Sequence, residues 1–147
     1  PRGRGEPETI MMRLMGIDYG TKRIGIAVSD PLGLAAQPIE VLKNSPEVFQ
    51  EIIKLLEKYN VSQIVVGLPK TLNGEESFSA KAVEVFSRKL EKEIGLPIVM
   101  YDERFTTKIM ERELISHGVS RSGRKDVIDK MAAAYMLQGY MERMKKG

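Results

Sequence analysis

Apolar and polar positions alternate through Arg13 to Tyr19 and again, more cleanly, through Arg23 to Ser29 ("RIGIAVS"). A period of two is that of a strand with one face buried. The intervening "GTK" is short enough for a hairpin, in which Gly20 can take a positive φ. Gln37 to Leu42 predicts a third strand, and Pro38 near its start marks an edge position because proline cannot donate to a ladder. The period then lengthens. Val48, Ile52, Leu55 and Leu56 share one helical face running to about Tyr59, with Ser45 expected as N-cap and Pro46 in the first turn. Gln63 to Pro69 ("QIVVGLP") is a continuous apolar run, the pattern of a strand buried on both faces. After the loop "KTLNGEES", Ser79 to Glu93 predicts an amphipathic helix ended by Gly95 and Pro97. Pro97 to Arg104 ("PIVMYDER") predicts another buried strand with acids at its end. Phe105 to His117 reads as a helix stopping at Gly118, and a last helix runs from about Asp126 to Met144.

The predicted order is βββ-α-β-α-β-α-α, a three-stranded meander followed by two strands reached through helical crossovers. Crossovers of that kind make strands parallel and lay helices on the faces of the sheet, which is an α/β domain. At 147 residues one domain is expected. It is assigned to residues 11–147, with residues 1–10, which lack periodicity, as a disordered extension or a remnant of expression. The composition is that of a globular protein, 42% hydrophobic and 29% charged. With no Cys, a thiolate nucleophile and a disulfide framework are excluded, and with a single His a zinc site of the usual kind is not expected. No apolar run reaches the length of a membrane span and no signal peptide is read before the first strand, so no membrane association is expected and the expected compartment is the cytoplasm. The net charge of +3 permits nucleic-acid binding without demanding it.

The chemistry lies in the acids. Sites in open α/β sheets gather beyond the carboxyl ends of parallel strands. Asp18 ends the first predicted strand, and Asp102 and Glu103 end the last. Asp126 and Asp129 share a helical face, followed by Ala132, Ala133 and Ala134, which are small enough to let that helix lie against the sheet. Three or four carboxylates from these pieces could cluster, and a cluster of like charges needs cations. Oxygen ligands favour Mg²⁺ or Mn²⁺. Two such ions suit displacement at phosphorus. For each acid a plainer reading exists: Asp126 can serve the helix dipole, and Asp102 or Glu103 can be a solvated strand end. Asp18 differs because its apolar approach predicts partial burial, which is costly for an unpartnered carboxylate. Lys22, Arg23, Lys70, Arg104, Arg121, Arg124 and Lys125 fall in predicted loops near this edge, where they could hold phosphates. His117 reads as a helix C-terminal residue, and the methionines of the last helix as packing.

Four segments, "GIDYGTKRIGIAVSD", "VVGLP…NG", "YDERFTT" and "KDVIDKMAAAYMLQGYM", together resemble the YqgF (RuvX) family, in that family's order and over Leu14 to about Met141. The resemblance implies an RNase H-like, RuvC-type fold: a mixed five-stranded sheet flanked by helices, with the first strand central. It implies a nuclease dependent on Mg²⁺ or Mn²⁺ whose metal-holding, catalytic acids fall at Asp18, Glu103 and Asp129. Lys22, Arg23, Arg104 and Arg124 are the expected nucleic-acid contacts. The implied substrate is the 5′ end of precursor 16S ribosomal RNA, with Holliday junctions, a branched DNA, as the alternative. A junction resolvase would need a symmetric pair of subunits, so a homodimer is among the expected states. Two rival readings stand beside this. "DYGT" before a hairpin resembles the phosphate loop of the actin, sugar-kinase and Hsp70 group, and a non-catalytic nucleic-acid-binding module would keep the acids for structure.

Overall fold

Apolar residues of alternating parity divide between the two faces of a single sheet, and each face is closed by helices. The computed structural model describes residues 13–68, 78–102, 116, 118 and 120–146. In chain order the elements are β1 (Arg13–Tyr19), β2 (Arg23–Ser29), β3 (Ala36–Lys43), α1 (Val48–Lys58), β4 (Val61–Leu68), α2 (Phe78–Ile94), β5 (Ile98–Asp102) and α3 (Arg121–Lys146). The sheet order is β3-β2-β1-β4-β5. β1–β2 and β2–β3 pair antiparallel, as hairpin-linked strands do. β1–β4 and β4–β5 pair parallel, as strands joined through helices must. The expected mixed five-stranded sheet is therefore present, with β1 at its centre.

On one face Met15, Ile17, Ile24, Ile26, Val28, Ile64 and Val66 pack against Val48, Ile52 and Leu56 of α1 and Val83, Phe86 and Leu90 of α2. Met15, Ile17, Ile24 and Ile26 are fully buried, and each contributes about 1.5–3 kcal/mol by leaving water. On the other face Ala27 and Val65 meet Ala133, Ala134, Met136, Leu137, Tyr140 and Met141 of α3. Among the described residues α3 is the helix that covers this second face.

β3 occupies an edge, as Pro38 predicted. Ile26 pairs with Glu40 but Ala27 pairs with Pro38, so one extra residue bulges there. Two helix starts differ from expectation. α1 begins at Val48 after Glu47, with no side-chain cap. Ser45 acts through its carbonyl, which accepts from Val48 N at 3.0 Å. α3 begins at Arg121 rather than Asp126. The hydroxyl of Ser120 accepts from Gly123 N at 3.2 Å, an N-cap bond that stabilises an earlier start. Asp126 is thus outside the first turn, which holds no acid, and the helix dipole is a weak reason for its presence. Gly95 (φ 70°) and Gly118 (φ 76°) take the left-handed conformation expected where helices stop. Residues 1–12, most of the loop after β4 with Lys70, Glu103, Arg104, and 105–115 and 117 of the predicted helix lie outside the described residues. No described helix is long and apolar enough to cross a membrane.

Candidate active site

The site is built from the parity of β1. Met15 and Ile17 face α1 and α2, so Leu14, Gly16 and Asp18 fall on the face that α3 covers. Gly16 sets how close that helix comes. A Cβ there would lie 2.8 Å from Leu137 Cβ and 3.1 Å from the Ala133 carbonyl oxygen. The absent side chain of Gly16, together with buried Ala132, Ala133 and Ala134, lets helix and strand backbones nearly touch.

α3 runs antiparallel to β1. Its C-terminal part, at Tyr140 and Met141, shares a cavity with Leu14, whereas Ala133 and Leu137 stand over Gly16. From Gly16 to Asp18 is about 6.6 Å along a strand, a distance that takes about four residues of helix. In register, then, Asp18 comes beneath the turn between Asp129 and Ala133. Asp129, four residues before Ala133, lies on the same helical stripe. The backbones of Asp129 and Arg124 belong to α3; their side chains lie outside what the structure describes.

The neighbours of Asp18 within the sheet are glycines. Asp18 pairs directly with Gly25 on β2. On β4 the register Ile17↔Val66 brings Gly67 next to it. Both glycines are buried, and Asp18 itself is half-buried, as its apolar approach predicted. The carboxylate therefore rises from a floor that carries no side chain on either side. A carboxylate is the hard donor that Mg²⁺ or Mn²⁺ prefers. Among the described residues no three acidic or imidazole side chains converge on one point, Asp18 being the one expected ligand whose side chain is described.

Asp102 goes to the other side. It pairs with Leu68 and shares parity with Ile98 and Met100, which pack toward α1 and α2. Met100 Sδ also accepts from Ser87 Oγ of α2 at 3.5 Å. Register therefore puts Asp102 on the opposite face of the sheet from Asp18.

The β1–β2 turn follows Asp18. Gly20 does not use the left-handed conformation open to a glycine. Glycine is needed there because a Cβ would lie 2.5 Å from the Arg23 carbonyl oxygen. Asn44, just past β3, ties the turn down: its Nδ2 donates to the Gly20 carbonyl at 2.9 Å, and its backbone N–H donates to the Lys22 carbonyl at 2.9 Å. Lys22 and Arg23 are exposed. Arg23 shares the α3 face with Gly25, which makes it the diagonal cross-strand neighbour of Asp18, within reach of a long side chain. The register thus brings Arg23, one of the expected basic contacts, beside the acid. Gly25, Gly67 and Asn44 are site residues that the pattern of acids did not reveal. The signal available for the two glycines was their position inside strand patterns, where glycine weakens a strand and marks a close approach.

A five-stranded mixed sheet with its first strand central, helices on both faces and an acid near the tip of that strand defines the RNase H-like class of RuvC type. The structure of "T. thermophilus RuvC in complex with Holliday junction substrate" matches with a TM-score of 0.54 at 18% identity, covering 91% of this chain and 96% of that one. The Holliday junction resolvase of fowlpox virus matches with a TM-score of 0.52 at 14% identity, covering 90% and 99%. The chain belongs to the RuvX family, whose model, described as Holliday junction resolvase, matches residues 12–143. Among curated relatives, a protein of Desulfitobacterium hafniense named "Putative pre-16S rRNA nuclease" is 45% identical over 92% of this chain and 97% of its own length. A Bacillus cereus protein of the same name is 46% identical over 90% of this chain and 99% of its own.

Proposed function

We propose that this chain is a metal-dependent nuclease that hydrolyses phosphodiester bonds, acting in the cytoplasm on the 5′ end of precursor 16S ribosomal RNA. The observation that carries the reading is the placement of Asp18: half-buried, on a glycine floor at the carboxyl end of the central strand, in register with the α3 turn of Asp129. A half-buried carboxylate at the carboxyl end of a central strand is a hard oxygen donor placed where sites in open α/β sheets gather, which suits a cation and a phosphate. The family and the names of its relatives support the same reaction.

In this reading Asp18, Glu103 and Asp129 hold Mg²⁺ or Mn²⁺, which supplies charge neutralisation at phosphorus and lowers the pKa of the attacking water. Asp18 is the central ligand, fixed by the strand on which it sits. Lys22 and Arg23 hold the phosphodiester backbone from the clamped turn, and Arg104 and Arg124 complete the contacts. Their work is positioning: phosphate contacts set register and carry no sequence information. The glycine floor admits the sugar-phosphate backbone close to the sheet.

The test is cleavage of a precursor 16S RNA fragment with and without Mg²⁺ or Mn²⁺, with wild-type protein and Asp18→Asn side by side. Metal-dependent cutting that disappears in the folded variant is the expected result. Equal cutting by Asp18→Asn would refute the assignment of the site. A four-way DNA junction belongs in a parallel lane because the family description names that substrate. Cutting of the junction alone would keep the mechanism and replace the substrate, and would require two copies of the chain to cut two strands. Metal-independent binding without cutting of either nucleic acid would favour a binding module.

A further inference from the structure

The basic residues beside Asp18 do not end at the turn. Arg23 on β2 pairs directly with Lys43 at the end of β3, and both are exposed. Their parity puts them on the face of Gly25 and Asp18, one row beyond the acid toward the end of the sheet. Directly opposite each other on adjacent strands, the two cations concentrate positive charge on the face of the acid, where a phosphate could be shared between them. Lysine on an edge strand can guard against strand addition, yet that duty calls for no second cation across the ladder. Just past this pair, Asn44 fastens the backbone of Lys22 and Gly20, so the ends of β2 and β3 and the turn form one fixed frame carrying Lys22, Arg23 and Lys43.

We infer that Lys43 and Arg23 together form a phosphate-binding pair that receives the substrate strand as it leaves Asp18 across β2 toward the β3 edge. The inference rests on the nuclease reading and extends it with a residue and a direction. Lys43 lies two strand spacings from β1, about 9.6 Å across the sheet, too far for the scissile phosphate held at Asp18 and suited to a neighbouring one. The ligand is the phosphodiester backbone of a single strand. Its recognition by two cations from adjacent strands is independent of sequence.

The experiment is fluorescence anisotropy of a fluorescein-labelled single-stranded precursor 16S RNA fragment, titrated with the full chain carrying Asp18→Asn to prevent cutting, at 50 and 200 mM salt. Lys43→Ala and Lys43→Arg are compared with Lys92→Ala, a control in the last turn of α2. One lost phosphate contact lowers the salt slope by about 0.7 for a single strand, so the weakening caused by Lys43→Ala is about 2.6-fold larger at 50 mM than at 200 mM. Lys43→Arg should retain the wild-type slope, and Lys92→Ala should not change it. Lys43→Ala with the slope and affinity of the control overturns the inference, and if wild-type protein still cuts RNA in Mg²⁺ the nuclease reading survives that result. RNA that is neither bound nor cut overturns both. A labelled four-way junction bound with the same Lys43-dependent slope, while the RNA is not, overturns the single-strand assignment.

Discussion

Replacing Gly16 by alanine tests the packing on which the whole site depends. The added Cβ would meet Leu137 Cβ at 2.8 Å and the Ala133 carbonyl oxygen at 3.1 Å. Carbon atoms prefer about 3.5–4.0 Å, so strand and helix must separate by roughly 1 Å. Neither obstacle is the flexible end of a side chain. A gap of that size forfeits a quarter to a half of the dispersion energy between the surfaces it opens, and these include buried Ala27, Val65, Met136 and Leu137. Overpacking of this kind costs about 1–3 kcal/mol. Alanine recovers about 0.4–1 kcal/mol by restricting the unfolded chain. The net expectation is a loss of about 1.3 kcal/mol, which at a urea slope near 2 kcal/mol/M lowers the midpoint by about 0.65 M. Truncating Leu137 to alanine should not rescue the variant, because the clashing Cβ stays; the double mutant should be less stable than either single one. Cleavage should fall about 100-fold as the turn of Asp129 moves off Asp18, the scale set by a 1 Å misplacement. A urea midpoint that is unchanged or raised would refute the packing argument. A destabilised protein with undiminished cleavage would refute the claim that α3 delivers part of the site.

Two further outcomes are expected. Gly25→Ala places a methyl group about 4.5–5.5 Å from the Cβ of Asp18, on a floor that carries no side chain at that position. Mn²⁺ affinity followed by electron paramagnetic resonance should fall about tenfold or more, as when the outer shell of a metal site is disturbed, while the urea midpoint changes little; unaltered Mn²⁺ binding would show that the floor is not used. Asn44→Ala removes the 2.9 Å bond to the Gly20 carbonyl and should cost about 1 kcal/mol in urea denaturation, with amide hydrogen exchange faster at Lys22 and Arg23. Unchanged exchange there would mean that the backbone bond from Asn44 holds the turn alone.

Much of this molecule can be read along one dimension. The alternation of "RIGIAVS", the apolar run of "QIVVGLP" and the 3.6-residue stripe of α1 depend on local periodicity, and they placed every described strand and the parallel and antiparallel pairings that follow from connection length. The partial burial of Asp18 was legible for the same reason, since an apolar approach to an acid needs no partner to be noticed. Its glycine floor was not legible. Gly25 and Gly67 are 7 and 49 positions after Asp18 in the sequence, and only strand register makes them its neighbours. Register likewise separates Asp102 from Asp18, because one residue of strand reverses the face. The start of α3 was misread because a serine cap at Ser120 outweighs the polar, glycine-containing run that looked like a loop. Sequence determines which segments are strands and helices, through contacts a few residues long. The company kept by Asp18, Arg23 and Lys43 was decided by how those segments stack, since cross-strand and helix–sheet neighbours are set by packing over long separations in the chain.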